Sequence, residues 1–233
     1  MFQDTHAERL FETLITGNRV EARAVVAAHA QDHPNPADTL IELFWPTYEA
    51  IEKLHRSDKI EMLGYRFATR LLRVLVDQNA TRLGRTSDDT RSVLAVAGPT
   101  DPDELGAQMA VDLLEARGLD VRFPGGGIAT DEVVAYTQQS KPDILAFFAS
   151  APGDLPGVRS AIDTLHSIGA CPHLQIAVGG GVFNRVDGLA EEIGADLWAS
   201  NPLELAERVV EEPERRADLS NRTVGRSRQR VAA

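Results

Sequence analysis

The chain has 233 residues, 43% hydrophobic and 25% charged, with a formal net charge of −11 and a pI near 5.0. That size and composition allow a full-sized core, and the acidity excludes a general nucleic-acid-binding surface, which needs clustered Lys and Arg. A single cysteine, Cys171, excludes an internal disulfide framework, and no apolar run reaches the ~18 residues of a membrane span, so a cytoplasmic protein without signal peptide or membrane contact is expected.

Residues 1–83 have helical periodicity. Leu10, Phe11, Leu14 and Ile15 form one stripe, which Gly17 ends. A second, Ala-rich helix runs from Val20 to His29, and His33-Pro34-Asn35-Pro36 breaks it. A third, from about Ala37 to His55, aligns Leu40, Leu43, Phe44, Tyr48, Ile51 and Leu54, with Pro46 as a kink. Ser57-Asp58 caps a fourth, which carries Ile60, Leu63, Phe67, Leu71, Leu72, Leu75 and Val76. Four amphipathic helices with short connections predict an antiparallel four-helix bundle.

Residues 84–91 are polar and aperiodic and read as a linker. Over 92–212 strands and helices alternate. The strands are Ser92–Ala97, Asp120–Phe123, Ile144–Ala149, Gln175–Val178 and Leu197–Ala199. The helices are Asp103–Arg117, Thr130–Gln139, Leu155–Ile168, Val186–Ile193 and Pro202–Glu211. Near-continuous apolar strands separated by helices predict an α/β fold with an open five-stranded parallel sheet, Rossmann-type and flavodoxin-like, in the order 2-1-3-4-5. Residues 213–233 form a basic tail with six arginines and one acid, Asp218, between Arg215 and Arg230; disorder is the default there, and only this tail offers a nucleic acid or acidic partner anything to hold.

That strand order brings the loops after strands 1, 3 and 4 to one crevice. They read Gly98 to Gly106, Ser150-Ala151-Pro152-Gly153 and Gly179-Gly180-Gly181. A second triplet, Gly125-Gly126-Gly127, reads as a flexible connection. Asp101 and Asp103 open a helix. Capping accounts for Asp103 better than metal binding does, although two carboxylates at one turn also suit Mg²⁺. The receiver-type phosphorylated Asp would fall near Ala149-Ser150, where there is none, which argues against phosphoryl transfer. His55 lies near a helix end, suited either to the helix dipole or to binding a metal as an axial ligand. His166 and His173 read as surface residues, and His6, His29 and His33 show no zinc-type spacing. Cys171 has no partner base in the sequence pattern. No G-x-S-x-G elbow, P-loop or G-x-G-x-x-G is present, so a binding or signalling module is expected rather than an enzyme.

Taken together, the loops resemble the cobalamin-binding module of methionine synthase and of B12-dependent photoreceptor regulators. The family signature is D-x-H-x-x-G, then S-x-L, then G-G. Its counterparts here are Asp101-Pro102-Asp103-Glu104-Leu105-Gly106, then Ser150-Ala151-Pro152 after the 43 residues 107–149, then Gly179-Gly180 after the 26 residues 153–178. Leu40 to Thr69 is similar to the helical segment in which family members carry a Trp and a Glu-His pair facing the corrin ring, and Gly194-Ala195-Asp196 is similar to the approach to the last strand. The resemblance implies a corrinoid between bundle and sheet, with Asp101, Asp103, Gly106, Ser150 and Gly179 to Gly181 around it.

The same resemblance implies departures. Asp103 stands where the family's cobalt-binding histidine is, Pro152 replaces the leucine of S-x-L, Tyr65-Arg66 replaces Glu-His, and Leu54-His55 falls at the Trp. Carboxylate is a hard donor and a poor substitute for imidazole on cobalt. The expected function is a non-catalytic, cobalamin-type sensor or regulator, partnered by a signalling protein or by a second copy of itself. The alternatives are a degenerate fold that binds a protein, haem or another small ligand, and a corrinoid carrier subunit of a methyltransferase.

Overall fold

The computed structural model describes residues 5–86 and 89–218. The expectation for 219–233 of the basic tail lies outside them. The helical part consists of α1 (Thr5–Ile15), α2 (Arg19–Asp32), the single turn α3 (Pro36–Asp38), a π-helical stretch Thr39–Phe44, α4 (Trp45–Arg56) and α5 (Met62–Ala80). The Asn18 and Asn35 side chains cap α2 and α3 by accepting from the Glu21 and Ala37 amides. Pro46 does not break the third helix. It lacks an amide hydrogen, and the ladder before it widens, so that the Trp45 N–H bonds back to the Leu40 carbonyl, five residues away.

The fourth helix begins later than Ser57-Asp58 suggests. The Ser57 hydroxyl donates to the Lys53 carbonyl at 2.9 Å and closes α4, Asp58 has a left-handed φ of 54°, and α5 starts at Met62. Ser57 is therefore a C-terminal stop for α4 and not an N-cap for α5.

The α/β part runs β1 (Ser92–Ala97), α6 (Asp101–Ala116), β2 (Asp120–Arg122), α7 (Thr130–Ser140), β3 (Ile144–Phe148), α8 (Leu155–Ile168), β4 (Gln175–Gly179), α9 (Gly181–Arg185), α10 (Leu189–Ile193), β5 (Leu197–Trp198) and α11 (Pro202–Glu211). The sheet is all parallel in the order β2-β1-β3-β4-β5, as expected. The helix expected over Val186–Ile193 is two short pieces, because Val186 is extended and Gly188 has φ 75°.

Alternate residues of the strands separate two apolar faces. Leu94, Val96, Leu145, Phe147, Ile176 and Val178 pack with residues of α7, α8 and α10. Val93, Ala95, Ala97, Ile144, Ala146 and Phe148 face the other way, into a cluster with α6, α11 and the helical bundle. That second cluster is continuous from Leu10 and Leu72 in the bundle to Val209 in α11.

Residues 213–218, expected to begin a disordered tail, are tied under the sheet. Ala217 N donates to Asp196 Oδ1 at 2.7 Å, the Arg216 guanidinium donates to the His173 carbonyl, and Gln175 Nε2 reaches the carbonyls of Glu212 and Arg215. The side chains of Asp196 and Gln175, at the N-terminal ends of β5 and β4, thus satisfy backbone groups of this segment. No helix among the described residues is long and apolar enough to cross a membrane.

One buried acid sets a pH dependence. Asp112 on α6 is 4% exposed and has Gln108 Nε2 on its Oδ1 at 2.6 Å. Burial, with smaller contributions from Glu115 and Asp77 against the Gln108 bond, raises its pKa to about 6. A raised native pKa means that the folded state binds the proton more tightly, so this stabilisation is present at low pH and is lost as pH rises through about 4 to 6. Asp112→Asn is expected to stabilise the protein by about 2 kcal/mol at pH ~8, with the gain vanishing near pH ~4. Urea melts at both pH values check it.

Candidate functional site

The α4 face that carries Trp45, Tyr48, Glu49, Glu52 and Arg56 repeats every three to four residues and looks toward the C-terminal ends of the strands. Between it and the sheet is a cavity of about 800 Å³. Its floor comes from the α6 face Asp103, Gly106, Ala107 and Ala110, and from Phe148. Its rim is Ser150, Gly179, Gly180 and Gly181, then Asn184 and Arg185, then the stretch Ala199–Pro202. The crevice therefore lies at the expected sheet edge, but the loop after β5 and the side of α6 line it in place of the Gly98–Pro99 turn.

The rim is tightly built. Gly180 has φ 104° and ψ 165°, and a Cβ there would lie 2.3 Å from the Ala149 carbonyl oxygen. The Val182 amide donates to that same oxygen. Only glycine lets the two loops lie this close. The Arg185 guanidinium donates to the Ser150 carbonyl at 2.5 Å, which fixes α9 against the end of β3.

The cavity wall carries opposed charges. Burial, then the Glu52 and Asp103 carboxylates, push the Tyr48 hydroxyl well above its ordinary pKa. Burial also raises Glu52, against the Tyr65 hydroxyl, which donates to its Oε1 at 2.8 Å, and against the charge of Arg56. Burial and the neighbouring Arg56 lower the pKa of Arg185. Four carboxylates, Glu42, Glu49, Glu52 and Asp103, thus share the lining of one pocket with the Tyr48 phenol and three cations, Lys53, Arg56 and Arg185.

Of the residues singled out in the sequence, Asp103, Gly106, Ser150, Gly179, Gly180 and Gly181 line this cavity. Asp103 is 8% exposed and forms a capping box: Thr100 Oγ1 and N donate to its Oδ2 at 2.5 and 3.2 Å, and its own amide donates to Thr100 Oγ1. Asp101 is turned to solvent and faces Arg66 at 3.7 Å, with the two side chains 76% and 63% exposed, an ion pair of little energetic weight. The two carboxylates thus point to different partners, against a shared Mg²⁺ site.

Leu54, His55, Tyr65 and Arg66 do not line the cavity. The His55 and Tyr65 rings stack on each other at 3.7 Å between centroids and 13° between planes. That stacking, and not helical phase, holds His55 toward α5, since His55 follows Tyr48 by seven residues on α4. Tyr65 stands one hydrogen bond behind the wall, through Glu52. No imidazole or thiol is among the lining residues, which offer metals only carboxylate, phenol and other oxygen donors. An axial role for His55 is not supported.

Two further readings change. Gly125-Gly126-Gly127 is a clamp and not a loose connection: the Gly126 amide donates to Glu104 Oε1 at 2.9 Å, the Ala97 amide bonds to the Gly125 carbonyl, and a Cβ on Gly126 would fall 1.8 Å from the Gly98 oxygen. His29 and His33 do share a spacing with meaning, one helical turn at the end of α2, and the fold brings Glu42 to them.

Comparison with known proteins agrees with this architecture. The family model for the B12 binding domain matches residues 91–207. The structure of the monomethylamine corrinoid protein of Methanosarcina barkeri is similar with a TM-score of 0.68 at 17% identity, over 88% of this chain and 97% of that one. A cobalamin-binding protein from Desulfitobacterium hafniense DCB-2 aligns with a TM-score of 0.47 at 18% identity, over 88% of this chain and 97% of that one. The methanol:cobalamin methyltransferase complex MtaBC of Methanosarcina barkeri aligns at 0.48 and 16%, over 94% of this chain and 83% of that one. No curated protein matches the chain in sequence.

Proposed function

The chain belongs to the B12-binding domain family, whose model takes in residues 91–207, half of its 233, and from that premise we propose that it is a corrinoid carrier that holds cobalamin between α4 and the C-terminal edge of the sheet. The observation that carries this reading is the cavity of about 800 Å³, rimmed by glycine and walled by a helix of the bundle. In the carrier reading the corrinoid supplies a cobalt centre that accepts and gives up a methyl group, and a partner methyltransferase works on it. The monomethylamine corrinoid protein of Methanosarcina barkeri, with the same fold over nearly its whole length, supports a carrier over a sensor.

The chain's own residues have separable tasks. Gly179, Gly180 and Gly181, with Ser150, would admit the nucleotide tail along the cavity rim. Arg56 and Arg185 would meet its phosphate, since guanidinium favours phosphate oxygens. Tyr48 and Glu52 would face the ring from α4. Asp103 would serve the helix end through Thr100 and leave the metal without a protein imidazole from α6. The cavity opens where the group would lie, and its lining would offer the metal no histidine.

The test is to purify the full chain with cobalamin and record the absorbance spectrum and a calorimetric titration. About one corrinoid per chain, with a Kd in the micromolar range or tighter, is the expected result. No retained corrinoid at that concentration overturns the reading. Retention without methyl exchange in the presence of a partner enzyme would return the protein to the sensor class.

A further inference from the structure

Outside the cavity floor, the end of α2 and the π-helical stretch bring three metal-binding side chains together. His29 lies in the last turn of α2 and His33 is its C-cap residue, with the His33 amide bonded to the His29 carbonyl at 2.8 Å. Their rings stack at 4.5 Å with 17° between planes. Glu42 reaches in from the π-helical stretch, its Oε2 3.0 Å from His33 Nδ1 and 4.0 Å from His29 Nε2. One ligand atom from each residue can be chosen so that all lie within 4.8 Å of one another, and no other such group of His, Cys, Asp and Glu occurs among the described residues.

We infer that His29, His33 and Glu42 form a binding site for a divalent transition metal of the zinc type, independent of the corrinoid cavity reading. Two imidazoles and one carboxylate make a three-ligand set that leaves a fourth position for water. The side chains are graded for this. His29 is fully buried, while His33 and Glu42 are 42% and 49% exposed, so the open coordination position faces solvent and the metal has a path in. The His6 ring from α1 meets His29 edge-on at 5.8 Å and sets the plane of the buried imidazole.

The site's placement gives it a consequence. Glu42 precedes α4 by one helical turn and also lines the edge of the cavity. Glu42 lies within the widened ladder before Pro46, and π-bulges of this kind are frequent at functional sites. A metal here ties the end of α2 to the segment that leads into the cavity wall.

The experiment uses the full chain without a polyhistidine tag, stripped by chelator dialysis and titrated with Zn²⁺ against a chromophoric chelator. One equivalent is expected to bind with a Kd on the order of 1 μM or tighter, and to raise the thermal midpoint. His33→Ala and Glu42→Gln, both at exposed side chains, are each expected to weaken binding at least about tenfold. Cys171→Ser and His173→Ala are expected to leave it unchanged. Failure of the parent to bind below ~100 μM, or equal binding by the His33 and Glu42 variants, overturns the site. No corrinoid is present in any arm, so its failure and that of the carrier reading are distinguishable.

Discussion

Gly180→Ala is expected to lose at least about 3 kcal/mol of stability and all corrinoid retention. The backbone at Gly180, φ 104° and ψ 165°, lies where residues with a Cβ do not go, at a cost of about 1–3 kcal/mol. The added methyl would also lie 2.3 Å from the Ala149 oxygen and 2.9 Å from its carbonyl carbon and amide nitrogen. These are backbone atoms of the end of β3, so relief requires the two loops to part, which breaks the Val182 amide bond to Ala149. Gly179→Ala is the matched control. Its Cβ would meet only the Phe148 ring, at 3.3 Å, and its φ is ordinary, so a loss of about 1 kcal/mol or less is expected. Urea unfolding of both variants, with a corrinoid spectrum of each, measures the difference; similar losses in the two would remove the argument.

Ser150→Trp is expected to do the opposite, and to break binding while sparing the fold. Ser150 is half-buried on the cavity rim, and what holds the loop there is its carbonyl, which accepts from Arg185 whatever the side chain. An indole at this position enters the space assigned to the nucleotide tail. Affinity for cobalamin should fall by about a hundredfold or more, equivalent to ~2.7 kcal/mol, with the thermal midpoint within ~2 °C of the parent. Ser150→Ala should change affinity less than about fivefold. Calorimetry on the three proteins decides it. Undiminished binding by the Trp variant would place the corrinoid elsewhere.

The sheet was legible in the sequence because parallel strands covered on both sides are short unbroken apolar runs. Val93-Leu94-Ala95-Val96-Ala97 and Ile144-Leu145-Ala146-Phe147-Phe148 could be little else, and their spacing gave the crossover helices. The strand order followed, and with it the edge at which a cavity lies. The glycine rim was legible for the same reason. Helix ends were less so. Ser57 can close one helix or open the next, and only the left-handed Asp58 decides between them. The π-helical stretch has no signature beyond Pro46, which predicts some disturbance without its form.

The cavity wall was the largest omission. Tyr48 belongs to an apolar stripe and its ring does lie in the core, yet it and its polar neighbours on the next turns, Glu52 and Arg56, border the cavity. One helical face can serve both at once, and periodicity alone does not distinguish them. Of Leu54, His55, Tyr65 and Arg66, which came with the resemblance, His55 and Tyr65 stack across the α4–α5 seam and Arg66 faces Asp101. The one-turn spacing of His29 and His33 is present in the sequence, although no zinc-type pattern was read from it, and Glu42 reaches them only through the fold.

The apolar cluster that runs without a break from Leu10 to Val209 bears on how such a protein could be divided or inherited. Residues 84–91 look like a hinge between modules, but a cut there would strip Val93, Ala95 and α6 of their cover and leave the bundle with an open greasy side. Swapping the bundle for that of a relative is then a graft across a shared interior, and the exchange must match α4 and α5 to α6 residue by residue. Evolution can retune the wall of this cavity by point substitution far more readily than by shuffling halves.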